Sequence, residues 1–281
     1  MNCSGGRVLT LLSMFALSAT PAAVAAPDTE AASCDPLPSK SFREAARTFF
    51  DDGTYLFTFP KRSTAKGIWL TAGATAGTVL LVQKDEAIRA HVLGDPDHGA
   101  ADRVANVFEP LGRSYVEAAA LGIAYAAARH TGRPRAVSTT ATAFEAWLWT
   151  FVITTGAKAA YGRASPTDDA DARDFFEGGD IFPSGHTSRS FAIAAVLADR
   201  HGPRVAWIVY PVAALIGLAT VQQDTHWASD VLAGAGLGLA IGKGIASRHP
   251  APEPTPAPAP SLPAAWQVTP APGGVMITIA F

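Results

Sequence analysis

The 281-residue chain is short of charge: Asp, Glu, Lys and Arg make up 16% of it, against ~25% in an average soluble domain. The two signs nearly cancel, leaving a formal net charge of −2. A nucleic-acid surface needs a clustered basic excess, so no nucleic-acid partner is expected. Cysteine is almost missing, with only Cys3 and Cys34. That excludes a disulfide framework and the thiolate sets of structural zinc sites. No internal repeat is visible.

What the chain has in quantity is apolar residues, at 48%. This balance predicts a well-buried helical core, partly in lipid. Residues 1–25 read as an export signal. Arg7 supplies the positive charge, Val8 to Ala19 the short apolar run, and Ala23-Val24-Ala25 the small residues before a cut after Ala25. Cys3 leaves with that segment. The mature chain is expected in the cell envelope, either membrane-associated with its site facing the periplasm or soluble there.

Residues 26–38 read as an extended lead-in, and 39–249 as one helical domain. Ser39 is expected to cap a helix running to about Asp51, whose Phe42, Ala45, Ala46, Phe49 and Phe50 share a face. Gly53 then ends it, and Tyr55 to Phe59 reads as extended. Further helices are expected from Gly67 to Gln83, continuing as a polar helix toward Val92, then near Ala101 to Phe108, and from Ser114 to His130. Another runs from Pro134 to about Tyr161. A long acidic loop leads to Pro183, and loops of that length are usually functional or disordered. Three helices follow: Thr187 to His201, Pro203 to about Gln223, and Trp227 to about Ser247. Gly234, Gly236, Gly238 and Gly242 predict close packing of the last one.

A membrane crossing needs ~20 largely apolar residues. Ala136 to Ala157 and Val205 to Gln223 approach that, and Gly67 to Gln83 is borderline. Residues 250–264 alternate Ala and Pro as a stiff spacer. Residues 265–281 read as a β-hairpin turning at Pro270 to Gly274. The fold class is therefore all-α, with a small C-terminal hairpin.

Chemistry concentrates in three segments. In "PSGH", Gly185 lets a bound group approach the backbone, and the helix starting there offers unpaired N–H groups to an anion. Ser184 adds a hydroxyl and His186 a proton donor. A plain helix cap would look the same. In "DTHWASDVLAG", His226 and Asp230 lie four residues apart, on one side of a helix. Asp230 then accepts from one imidazole nitrogen and leaves the other bare to attack; a capping Asp and a satisfied core His would give the same spacing. In "KAAYGRASP", Lys158 and Arg163 stand at the end of a helix, where cations are favourable in themselves, and just before the loop leading to Pro183, where they could close over the anion. With no thiolates and no third close ligand, no metal is expected.

These segments, in this order, resemble the type 2 phosphatidic acid phosphatase/haloperoxidase superfamily, over about Ala136 to Ser247. The family pattern is Lys-x6-Arg-Pro, Pro-Ser-Gly-His, and Ser-Arg-x5-His-x3-Asp. The resemblance implies a six-helix bundle-like core converging on a phosphate pocket. It implies that His226 attacks phosphorus and forms a phosphohistidine, that Asp230 orients it, and that His186 protonates the leaving oxygen. Lys158, Ser184 and the Gly185 N–H would hold phosphate oxygens. Two family arginines are missing, their places taken by Ser165 and Thr220. Arg163 is the expected replacement, and Arg189, one turn beyond His186, is close enough in sequence to swing in.

The expectation is an exported phosphatase needing no cofactor, acting on a phosphomonoester or pyrophosphate, a lipid one included. The alternatives are a phosphate-binding pseudoenzyme of the same fold, a haloperoxidase holding vanadate in the same pocket, and a non-enzymatic envelope scaffold.

Overall fold

The computed structural model describes residues 41–58, 64–94, 99–168, 170–252, 266–271 and 274–279. The expected export signal, the lead-in and most of the Ala/Pro spacer lie outside the described residues.

Helix α1, Phe42–Phe57, is started by Ser41 rather than Ser39. The Ser41 hydroxyl accepts from the Glu44 N–H at 3.3 Å, and Glu44 accepts from the Ser41 N–H at 2.9 Å. This reciprocal pair satisfies two donors that a helix start leaves open. Gly53 does not stop the helix, and Tyr55 to Phe57 is helical, not extended. The reason is tertiary. Gly53 lies against the Trp149 indole, where any Cβ would overlap the ring, and Phe49 stacks on that indole at 4.5 Å between centroids. The glycine marks a close approach, not a break.

Helices α2, Ala65–Val82, and α3, Asp85–Gly94, follow one another through a tight turn. Then come α4, Gly99–Phe108, a 3-10 turn at Glu109–Gly112, α5, Ser114–His130, and α6, Pro134–Tyr161. Beyond the acidic loop lie α7, Gly185–His201, α8, Pro203–Gln222, and α9, Ala228–Arg248. Strands β1, Trp266–Ala271, and β2, Gly274–Ile279, pair antiparallel as a hairpin, with Trp266 opposite Ile279 and with Pro270, Ala271 and Gly274, expected in the turn, paired in the ladder. The described helices and this hairpin make the chain all-α in class. Among the described residues six helices, α2 and α5 to α9, have 17 residues or more.

Helix α7 is the centre and packs against α6, α8 and α9. Ala143, Ala146, Trp147 and Trp149 of α6 meet Ala192 and Val196 of α7 and Ile241, Ile245 and Ala246 of α9 in one apolar cluster. The approach of α9 to α7 needs glycine. A Cβ on Gly234 would lie 2.7 Å from the Ser184 carbonyl oxygen, and one on Gly238 or Gly242 would meet the Ser188 or Ala192 carbonyl. Gly236 faces the other way, with Ala74 of α2 at 3.8 Å from its Cβ position. Gly238→Ala is therefore expected to destabilise the protein by ~1–3 kcal/mol through overpacking. Gly236→Ala should be neutral or stabilising. Denaturant unfolding of the two variants beside the parent checks the contrast, and equal stabilities would contradict it.

Three described helices are long and apolar enough to cross a membrane: α2, α8 and α9. Helix α2 buries none of its residues, and Trp69 and Leu80 stand 77% and 69% exposed. On α8, Trp207 is 82% exposed. Apolar surface on this scale suits lipid contact and suggests membrane association. Contrary to expectation, α6 is not among the three, and α9 is. Helix α6 carries Thr139, Thr142, Thr150 and Thr154 facing its protein neighbours, where all four are buried.

Candidate active site

The C-terminal ends of α6 and α8 and the N-terminal ends of α7 and α9 carry the residues singled out by the sequence. Ser184 is the N-cap of α7, which therefore begins at Gly185, two residues earlier than expected. Its hydroxyl accepts from the Thr187 N–H at 3.4 Å and from the Thr187 hydroxyl at 3.1 Å, and it is fully buried. The Ser184 N–H donates to the Asp230 carbonyl at 3.0 Å. This bond ties the starts of α7 and α9 together. No hydrogen bond among the described residues takes the Gly185 or His186 N–H. These are the open donors of a helix start.

His226 sits in the turn before α9. The Thr220 carbonyl receives the N–H groups of Thr225, at 3.0 Å, and His226, at 3.3 Å. Asp224 adopts a positive φ of 55°, which Asp tolerates better than most residues, and Arg89 grips its carboxylate with two bonds of 2.7 Å. Asp230 reaches back from the first turn of α9. Its Oδ2 accepts from the Trp227 N–H at 3.0 Å and lies 3.4 Å from His226 Nδ1. A proton on Nδ1 suits that neighbour, leaving Nε2 as the basic nitrogen.

His186 faces His226, with ring centroids 6.3 Å apart and planes at 69°. Its Nε2 lies 3.3 Å from Glu109 Oε1. The contact is not aligned as a hydrogen bond, and Nε2 is buried without a hydrogen-bond partner among the described residues. Burial, then the nearby His226 and Arg189, push the His186 pKa down to about 4, against the pull of Glu109. Lys158, in the last turn of α6, is also shifted downward, first by burial and then against the attraction of Asp180. Its helix ends at Gly162, whose left-handed φ of 48° lets its N–H close on the Lys158 carbonyl at 2.9 Å.

Arg163 is placed differently from the phosphate contact expected of it. It is fully buried behind Asp230. Nε donates to the Ala172 carbonyl at 3.0 Å, Nη1 to the Ser229 hydroxyl at 2.7 Å and to Asp230, and Nη2 to Asp85 at 2.8 Å. Phe175, Phe182 and Trp227 surround the guanidinium. Every nitrogen is engaged by the protein, so the side chain braces the site from beneath. The residues at the two missing-arginine positions are both engaged locally. The Thr220 hydroxyl is buried and bonds the Gly217 carbonyl at 2.7 Å. Ser165 pairs with Thr167 at 2.8 Å.

Several supporting residues escape sequence reading. Asp85 and Glu86 open α3 as an ordinary acidic first turn, yet Asp85 also accepts from the Ser229 N–H at 3.0 Å, and Glu86 from the Ala172 N–H at 2.8 Å. Glu109 and Glu117 lie far upstream of the motifs. Only the presence of carboxylates in otherwise apolar helices hints at them. The acidic loop folds back on the end of α6: Phe176 and Glu177 N–H groups bond the Tyr161 and Gly162 carbonyls at 2.7 and 2.9 Å. Two surface depressions, one beside Asp168 and Asp174 and one beside Tyr210 and Lys243, include neither histidine. One metal-capable group among the described residues, Asp52, Glu145 and His249, has its ligand atoms within 4.8 Å of one another. It excludes both site histidines, and Arg248 already pairs with Asp52.

Residues 139–252 match the model of the PAP2 superfamily. Over 81 residues the chain is 36% identical to a lipid A 1-phosphatase of Porphyromonas gingivalis, a match covering 28% of this chain and 16% of that protein. The chain thus spans well under two thirds of that relative's length. No solved structure matches the chain significantly. Residues 139–252, which carry all three motifs, are similar to the PAP2 superfamily of type 2 phosphatases.

Proposed function

We propose that this protein is an exported, metal-independent lipid phosphatase working through a phosphohistidine. The observation that carries the reading is the pair of facing imidazoles at two helix starts, one held by a carboxylate and the other with a bare Nε2. His226 Nε2 forms a bond to phosphorus as the bond to the leaving oxygen breaks. The departing electron pair goes to that oxygen, which takes the His186 proton. Water then attacks phosphorus and gives a proton to His186, and the N–P bond breaks with its pair returning to His226. The Gly185 and His186 N–H groups and Lys158 hold the other oxygens, which replaces the charge a metal would supply. The apolar faces of α2 and α8, and the name of the lipid A phosphatase relative, favour a lipid-borne phosphate.

The test is phosphate release from phosphatidic acid, an isoprenyl pyrophosphate, lipid A and a soluble aryl phosphate, with chelator present. Release from at least one lipid is expected. No release from any of the four, or release abolished by the chelator and restored by zinc or magnesium, would refute the reading.

The acid needs a proton that the free site holds poorly. An arriving phosphate dianion raises the His186 pKa, and Glu109, with Oε1 3.3 Å from Nε2, already does so. A general acid works below its pKa, so activity falls as pH rises through it. Glu109→Gln removes the attraction and lowers that pKa. The alkaline limb of kcat, which reports the substrate-bound site, should then move to lower pH, by roughly one unit. A limb that stays in place in the pH–rate profile would remove Glu109 from the proton's control.

A further inference from the structure

The start of α7 leaves two N–H groups open, the two positions expected to carry arginine hold a buried Thr220 bonded to the Gly217 carbonyl and a Ser165 paired with Thr167, and Arg163 is fully engaged. We infer that Arg189 is the guanidinium that holds the phosphoryl group, with Glu117 as its positioning residue. This deepens the phosphatase reading and rests on it. Arg189 lies one turn along α7 from Gly185. Its Nε donates to Glu117 at 2.9 Å and its Nη2 to the Gly112 carbonyl at 2.9 Å. Nη1 makes no hydrogen bond among the described residues. It stands 2.8 Å from where a Cβ on Gly185 would be, and the Lys158 Cε is 3.9 Å from the same point. The missing side chain of Gly185 thus lets the Arg189 guanidinium and the Lys158 side chain come close to the helix start whose first N–H groups are open. Any larger residue there would press on the guanidinium.

Glu117 is itself fixed. Trp147 Nε1 donates to it at 3.0 Å and the Ser190 hydroxyl at 2.8 Å. The guanidinium therefore keeps one orientation before anything binds, and pre-set donors cost no rearrangement when charge arrives. A single Nη1 contact to an equatorial oxygen, beside Lys158, is the charge-assisted kind that dominates phosphate binding. The tetrahedral oxyanion is the ligand class, whether on an ester, as free phosphate or as vanadate.

The experiment uses the purified full chain in detergent, with inorganic phosphate and vanadate as probes and binding measured by calorimetry. Arg189→Lys keeps a cation for Glu117 but shortens the reach. The pair Arg189→Gln with Glu117→Gln removes both buried charges together, so that neither is left unpaired. Each is expected to weaken binding of both anions by about 30-fold or more, with thermal unfolding near the parent's. Glu117→Gln alone, which loosens the guanidinium without removing it, should weaken binding less. A folded double variant that binds as tightly as the parent overturns the clamp. If the parent meanwhile hydrolyses lipid phosphate, the phosphatase reading survives that loss. A parent that binds neither anion overturns the clamp, and the phosphatase reading is then decided by phosphate release alone. A parent that binds them, and loses them with Arg189, sustains the clamp even if it turns nothing over.

Discussion

His226→Ala is expected to stop phosphate release, lowering kcat by roughly three orders of magnitude or more, as loss of a nucleophile does elsewhere. The fold should tolerate it. The side chain is held by a single long contact to Asp230 at 3.4 Å, and the turn around it is fixed by the Thr220 carbonyl and by Arg89, which the substitution leaves in place. Circular dichroism and melting of the variant should match the parent. The chemistry is read by quenching labelled substrate at alkaline pH, where a phosphohistidine persists and an acyl phosphate does not. Label on His226 in the parent and none in the variant is the expected pair of results. Label on a serine, or turnover kept in the variant, would end the covalent mechanism. Asp230→Asn should retain some activity only where the fold holds, because Asp230 also receives Trp227 N–H and Arg163.

The helices of this chain are written locally, and their ends largely too. Pro134 and Pro203 sit at helix starts, Gly162 and Gly202 at helix ends, and the spans from Ser114 to His130 and from Pro134 to Tyr161 follow directly. Where local reading fails, a distant partner is responsible. Gly53 is read as a stop because nothing nearby shows that Trp149, almost a hundred positions on, lies across it. The site divides in the same way. The spacing of His226 and Asp230 needs only one helical turn, so it is legible. The brace under it is not, because Arg163 reaches Asp85 on α3 and Asp230 on α9 from a loop after α6. Likewise Arg189 is visible as a spare cation, but its aim is set by Glu117 and Gly112, contributed by segments more than seventy residues upstream.

Arg163→Ala tests that brace, and its effect should be on folding before binding. The substitution leaves Asp85 and Asp230, both at or near full burial, without their shared cation. Breaking a buried pair from one side destabilises by ~3–5 kcal/mol, because a charge stays behind unpaired and out of water. Here two carboxylates are stranded, along with the Ala172 carbonyl that both Nε and Nη2 satisfy. Lysine cannot stand in, since it offers one ammonium where three separate nitrogens are used. Arg163→Lys should therefore rescue little. Denaturant unfolding and proteolysis of the acidic loop give the readout: an early-unfolding variant, cut between residues 164 and 182, is expected. The competing role, direct contact with phosphate, predicts the opposite pattern. There Arg163→Ala would keep the parent's stability and lose affinity for phosphate and vanadate alone. A variant as stable as the parent would return Arg163 to the substrate. A variant whose folded fraction is small but binds phosphate normally would leave the anion to Arg189 and Lys158, with Arg163 holding up the aspartate that aims the nucleophile.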